Sequence, residues 1–327
     1  MTKSQISRPV TSPFGARTTA AEVVAGLDLT GKQMIVTGGA SGLGAATVDA
    51  LARAGASVTV AVRNPDAVAP TSESGLPVNV APLDLVDLDS VSRFVDAWDG
   101  PVDALIANAG VMAVPDLRTT SAGWELQLGV NFLGHFALAV GLHDHLARAR
   151  GRVVVVSSGA QLRSGVDLDD LHFQSRPYDP WVAYSQSKSA DVLLAVGIAR
   201  HWADEGITAN ACAPGFIHTN IQRHVAPEAM RAMGVMDEDG NLIHPPHYKT
   251  PAQGAATAVF LATSPLVAGV SGAYFEDGQE SAAVEGGPDA PGGVATWSVD
   301  PVRADALWDR ALDAVAGHLG GHGRGRN

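Results

Sequence analysis

Between Lys32 and Phe275, short runs that are apolar at nearly every position alternate with longer amphipathic stretches. The apolar runs are Met34 to Val36, Val58 to Val62, Val78 to Val80, Ala104 to Ile106, Val153 to Val156, Ile207 to Cys212 and Ala273 to Phe275. Helix-forming stretches at 42–54, 87–97, 121–148, 181–205 and 251–263 lie between most of them. Strands without a polar face must be covered on both sides, as in a parallel sheet, and parallel neighbours need helical crossovers. The pattern therefore predicts an α/β chain: a doubly wound, Rossmann-type, seven-stranded parallel sheet with helices on both faces. It forms one domain over residues 21–280, with a lid at about 216–250 interrupting one strand-helix unit.

The flanks read differently. Residues 1–20 lack apolar periodicity and are expected to form a flexible arm. Residues 281–319 read as an extension carrying a helix from Pro301 to about His318, and residues 320–327 as a disordered tail. Hydrophobic residues make up 46% of the chain and the net charge is −12, so a sizeable core is available and nucleic acid or an anionic membrane surface is disfavoured as a partner. The single cysteine excludes an internal disulfide, and neither a secretory leader nor an apolar stretch of membrane-spanning length is apparent. These features point to a reducing, cytoplasmic setting.

Thr37-Gly38-Gly39-Ala40-Ser41-Gly42-Leu43-Gly44 follows the first strand and opens a helix. Glycines there allow close backbone approach, and the free amides and dipole of the helix start attract a pyrophosphate. An ordinary glycine-rich turn would look the same in isolation. Tyr184 and Lys188 stand four positions apart in a helical stretch and project from one face. Taken alone they describe a solvated surface. Ser157 and Ser158, however, end a strand of four valines, and Asn108-Ala109-Gly110 ends the preceding strand, with Asn131 in the helix between them. Ligands of doubly wound sheets bind at such strand ends.

This combination, completed by Pro214-Gly215-Phe216-Ile217-His218-Thr219, resembles the classical short-chain dehydrogenase/reductases over about residues 25–280. Within that family, the stretch from Trp124 to Phe136 and the 26-residue step from Ser158 to Tyr184 resemble the retinol dehydrogenase, WW-domain oxidoreductase and protochlorophyllide reductase-like branch. The resemblance implies an NAD(P)-dependent oxidoreductase that interconverts a secondary alcohol and its carbonyl. It assigns catalysis to Asn131, Ser158, Tyr184 and Lys188. Tyr184 is the general acid/base, Lys188 holds the nicotinamide ribose and eases loss of the Tyr184 proton, Ser158 steadies the reacting oxygen, and Asn131 supports a proton relay. Ser157 is the alternative serine. The cofactor would lie along Gly38, Ser41, Gly42, Leu43 and Gly44, with Asp84 and Leu85 at the adenine. Asn108, Ala109 and Gly110 line the cleft, Pro214 and Gly215 contact the cofactor, and Ile217 with Thr219 engages its carboxamide.

Cofactor choice turns on the end of the second strand. An NAD-selective site places a carboxylate there to meet the ribose hydroxyls and repel a 2′-phosphate. Here that position is Val62, followed by Arg63 and Asn64, and the Arg63 guanidinium suits a phosphate, so NADP(H) is expected over NAD(H). Gln161, Phe173, Tyr178 and Trp181 in the long segment before Tyr184 are expected to wall a medium to large apolar substrate site. The partner is then a small-molecule alcohol or carbonyl, and a homo-oligomer is compatible with the sequence. Two other readings use the same fold: a nucleotide-binding sensor, and an epimerase working through a transient ketone. Met230, Met233 and Met236 have helical spacing and are expected to pack on the sheet or line the lid. His244 and His247 read as a surface loop rather than a metal site, Asp237 to Asn241 as a polar turn, and Cys212 as a buried small hydrophobe.

Overall fold

A computed structural model describes residues 9–319. Seven strands form one parallel sheet: β1 (Gln33–Thr37), β2 (Ser57–Val62), β3 (Asn79–Pro82), β4 (Ala104–Ala107), β5 (Arg152–Val156), β6 (Thr208–Ala213) and β7 (Tyr274–Glu276). Their spatial order is β3-β2-β1-β4-β5-β6-β7, and the two-residue β8 (Gln279–Glu280) adds an antiparallel edge beyond the seven expected. A separate parallel pair joins β9 (Ala283–Val284) to β10 (Val294–Ala295).

Successive strand residues point to opposite faces, so the apolar runs build two cores. On one face Ile35, Leu105, Val153 and Val155 pack with Phe136, Leu194 and Trp308. On the other Met34, Val36, Ile106, Val154 and Cys212 pack with Leu51, Val259 and Phe260. The helices follow from this division. α1 (Ala20–Val23) and α2 (Gly42–Arg53) cover the second face, whereas α3 (Leu88–Asp96) and the broken helix after β4 cover the first. That helix runs as α4 (Leu126–Leu128), a π turn at Gly129–Leu133, α5 (Gly134–Gly141) and, after a bend of 63°, α6 (His143–Ala149). α7 (Pro180–His201) is buried from Ala183 to Ile198 on every side. The short α8 (Pro227–Ala232) lies in the segment expected to form a lid, and α9 (Pro251–Thr263) returns to the second face. Asp179 before α7 and Thr250 before α9 accept hydrogen bonds from first-turn amides, and proline occupies the first turn of each helix.

Three expectations change. Residues 1–8 lie outside the described residues, but 9–19 are seated rather than free. The Val10 amide donates to the Glu280 carboxylate at 2.7 Å, Phe14 packs edge-on against Phe260 at 5.7 Å, and Arg17 donates to the Tyr248 carbonyl at 2.8 Å. These partners lie more than 200 positions away in the chain, which is why local pattern missed them. The helix expected over 121–148 starts instead at Leu126, where buried Glu125 caps the Gln127 and Leu128 amides. The C-terminal extension joins the main core: α10 (Pro301–Val315) lays Trp308 on Gly197 of α7, where a Cβ would meet the indole at 2.7 Å. Phe136 and Trp202 pack edge-on against the same ring. The tail at 320–327 lies outside the described residues.

Candidate active site

A parallel sheet brings every strand's C-terminal end to one edge, and the crossover direction reverses between β1 and β4. Residues 38–44 follow β1, Arg63 and Asn64 follow β2, Asp84 and Leu85 follow β3, and Asn108 to Gly110 follow β4. Ser158 follows β5 and Pro214 to Thr219 follow β6. The fold thereby collects residues that the chain scatters over 180 positions.

The turn after β1 is built for close approach. Gly38 and Gly42 have positive φ of 65° and 54°, and a Cβ on Gly44 would lie 2.3 Å from the Gly38 carbonyl oxygen and 2.7 Å from Asn108 Nδ2. Asn108 Nδ2 donates to the Thr37 carbonyl at 2.9 Å, tying the ends of β1 and β4 together. The Ser41 side chain caps no amide of α2, so the first-turn donors of that helix stay available. Glycine turn, exposed Ser41 and uncapped helix start together fit the pyrophosphate of a dinucleotide. Leu85 differs from the simplest expectation: its side chain is buried against Gly134, so only its backbone can face a ligand.

Tyr184 and Lys188 share one face of the buried α7, with the Lys188 Nζ 5.9 Å from the Tyr184 ring centre. Lys188 Nζ donates to the Val156 carbonyl at 2.9 Å and to Asp191 Oδ2 at 2.7 Å. Burial works against the ammonium, but the Asp191 carboxylate, with Tyr184, holds its pKa above the usual lysine value. Burial in turn pushes Asp191 up to about 7 against the pull of Lys188. The two serines separate clearly. Ser157 is buried and donates to the Lys188 carbonyl at 2.7 Å, pinning α7 to β5. Ser158 is only half-buried and caps the Ala160 amide, leaving its hydroxyl at the cleft edge.

Asn131 sits inside the π turn, an irregularity that recurs at functional sites. Its Oδ1 accepts from the Val111 amide at 2.9 Å, and its Nδ2 donates to the Val111 carbonyl and to Ser187 Oγ. Its backbone carbonyl accepts from His135 Nδ1 at 2.8 Å. His135 is wholly buried, and burial lowers its pKa to about 4.

After β6 the chain crosses the cleft mouth. Thr219 approaches the glycine turn, 3.2 Å from where a Cβ on Gly42 would stand, and Ile221 Cδ1 lies 3.8 Å from the corresponding point on Gly110. Ile217 is buried against Gly254, and Gly215 has a φ of 91° beside Lys249. Arg223, in the turn Asn220–His224, is near enough to Arg63 that burial and then the like charge lower its pKa. His224 is lowered in its turn by burial and by Arg223 and Arg118. Among the described residues Arg63, Arg118 and Arg223 make no ion pair with a carboxylate.

The expected substrate walls are largely internal struts. Gln161 is fully buried and holds the Gly293 carbonyl and the Ala295 amide, each at 2.9 Å. Tyr178 donates to the Val114 carbonyl and accepts from Gln127, and Phe173 is buried against it. Both aromatic rings hold the long loop together. Trp181 alone of the four stands beside Tyr184, ring centres 6.5 Å apart. Met230 packs with Val235 and Tyr248 in a small lid core away from the sheet, while Met233 is half exposed. His244 packs on His218, and His247 on Phe216 and Tyr248. Asp237 accepts the Asn241 amide in a closed polar turn. Cys212 is buried, which pushes its thiol up to about 12.

No role was expected for Asp191 or Arg223, and Thr37 and His135 were expected only as parts of the glycine turn and of the stretch from Trp124 to Phe136. His135 and Asp191 carried a weak signal, standing four and three positions after Asn131 and Lys188 on the same helices. Arg223 carried none.

A doubly wound parallel sheet with a glycine cradle at its switch point and a Tyr-Lys pair beside it defines a nucleotide-dependent oxidoreductase. The family model of the short chain dehydrogenases matches residues 32–229, and the chain belongs to that family. It is 56% identical over 296 residues to a probable oxidoreductase of Streptomyces lividans, covering 89% of this chain and 99% of that one. Human retinol dehydrogenase 14 is 34% identical over 301 residues, covering 85% of this chain and 87% of that one. A crystal structure of an uncharacterized protein from Mycobacterium paratuberculosis superposes with a TM-score of 0.69 at 34% identity, covering 92% and 98% of the two chains. The protein is an oxidoreductase acting on CH–OH or C=O groups, and the cofactor typical of its family is NAD(P).

Proposed function

We propose that this enzyme is an NADP-preferring reductase or dehydrogenase that interconverts a secondary alcohol and its ketone, on a medium-sized to large apolar substrate. The carrying observation is the placement of Tyr184, Lys188 and Ser158 at one edge of the sheet beside the glycine cradle. The nicotinamide supplies the hydride chemistry when bound. The chain's own groups do the rest. The Tyr184 hydroxyl gives or takes the proton of the reacting oxygen, and the Lys188 cation stabilises the charge the phenol carries after losing it. The Ser158 hydroxyl hydrogen-bonds the reacting oxygen and fixes its position. Asn131 acts chiefly by holding the loop at Val111 and the helix at Ser187, which sets the spacing of the cleft.

Two observations support the finer choices. Arg63 and Arg223 form an unneutralised basic pair at the mouth of the cleft, suited to a 2′-phosphate. Phe216, Met233, Leu242 and Ile243 are all exposed, so the segment that crosses the site carries apolar side chains left uncovered by the rest of the fold. The test is direct: titrate NADPH and NADH into the purified protein, then assay a panel of ketones and alcohols of graded size and charge. Tighter NADH binding would overturn the cofactor choice, and a strong preference for small charged substrates would overturn the substrate class.

A further inference from the structure

Lys188 and Asp191 form an ion pair at 2.7 Å whose side chains are only 4% and 1% exposed. Burying two charges is expensive, and a hydrogen bond alone does not explain it, because an asparagine would accept the same bond without the cost. Nor does the carboxylate serve the surrounding fold. Asp191 Oδ1 is buried with no hydrogen-bond partner among the described residues, so the whole group is committed to Lys188 through Oδ2. The ammonium has three donors. One is fixed on the Val156 carbonyl and one on Asp191, which leaves the third for a ligand in the cleft.

We propose that Asp191 is the positioning residue of Lys188: it anchors the ammonium and supplies the counter-charge that keeps it cationic in a site closed to water. The inference rests on the proposed contact between Lys188 and the cofactor ribose. Among the described residues few titratable groups act on Lys188. Tyr184 and Asp191 come from α7, Cys212 from β6 and His135 from α5. Cys212, held at about 12, and His135, held at about 4, are both neutral between about pH 7.5 and 9.5. In that range Asp191 is the anion that balances the ammonium. Without it, burial favours loss of the Lys188 proton, and with it loss of a ribose-holding donor.

The experiment measures NADPH and NADH affinity by quenching of protein fluorescence from about pH 7.5 to 9.5, in wild type, Asp191→Asn and Lys188→Met. Wild type should bind with nearly constant affinity. Asp191→Asn should match wild type within a few-fold at the lower pH and weaken by about tenfold or more at the upper, converging on Lys188→Met. A profile for Asp191→Asn that stays parallel to wild type would overturn the proposal. A second arm uses no cofactor: the thermal midpoint of Asp191→Asn should fall, and adding Lys188→Met should recover part of the loss by removing the stranded charge. If Asp191→Asn does not fold, recovery of folded protein in the double variant supports the proposal and failure to recover overturns it. A wild type that binds neither nucleotide would refute the proposed function, and the stability arm would then decide the counter-charge role by itself.

Discussion

The Thr37 hydroxyl and the His135 imidazole meet at 2.8 Å, both buried, beneath the cofactor cleft. A carbonyl oxygen can only accept, so His135 Nδ1, bonded to the Asn131 carbonyl, carries the ring proton and Nε2 accepts from Thr37. Thr37 Oγ1 in turn accepts the amides of Asn108 at 2.9 Å and Ala109 at 3.0 Å. One chain of bonds therefore ties the π turn that carries Asn131 to the strand ends that floor the cleft.

That chain predicts a pH-dependent contribution to stability. His135 is lowered by burial to about 4, so the unfolded chain binds more protons than the folded one between pH 6.5 and 4. The stabilisation is complete above about pH 6.5 and is lost as pH falls toward 4, about 3 kcal/mol in all. Chemical denaturation of wild type and His135→Gln at several pH values checks this. The advantage of wild type should shrink as pH falls through that window, and a constant difference would refute it.

Gln161 separates a strut from a substrate wall. Gln161→Leu leaves the Gly293 carbonyl and the Ala295 amide without their partners, a loss of about 2 to 4 kcal/mol. Substrate KM should stay within about twofold, since the side chain is sealed from solvent. A changed KM with unchanged stability would restore it to the pocket.

How much of this was legible beforehand follows from the range of each interaction. The sheet was readable because burial on both faces forces unbroken apolar runs such as Val153 to Val156, a strictly local signal. That Tyr184 and Lys188 share one helix and that Ser158 follows a strand end was readable because short motifs fix these placements locally. Gln161 was misread because its partners lie more than 130 positions away, so nothing near it distinguishes a strut from a lining residue. Arg223 was invisible for the same reason: only the folded lid brings it toward Arg63.

Tyr184→Phe keeps the ring and its packing against Trp181 but removes the proton donor. Turnover should fall by about 100-fold or more, and NADPH should still bind within about threefold of wild type. Steady-state assays paired with fluorescence titration separate the two effects. Near-normal turnover in the variant would place the acid/base elsewhere.

Arg63 and Arg223 form a basic pair at the cleft mouth. Arg63 alone was expected to read a 2′-phosphate, and the segment after β6 brings Arg223 near enough to feel its charge. Two guanidinium groups without carboxylate partners repel each other in the free protein, and a dianionic phosphate between them relieves that repulsion while accepting charge-assisted hydrogen bonds. Arg63→Ala and Arg223→Ala should each weaken NADPH by about 1 to 3 kcal/mol and leave NADH nearly unchanged. Because both act on one phosphate, the double variant should lose less than the sum of the single losses or more than it, but not simply the sum. Raised salt should reduce the wild-type preference for NADPH, since both arginines reach solvent and are screened, although part of Arg223 is desolvated. Isothermal titration of both nucleotides into the four proteins settles the matter: equal losses for NADPH and NADH would mean that neither arginine reads the phosphate, and strict additivity would mean that they do not share it.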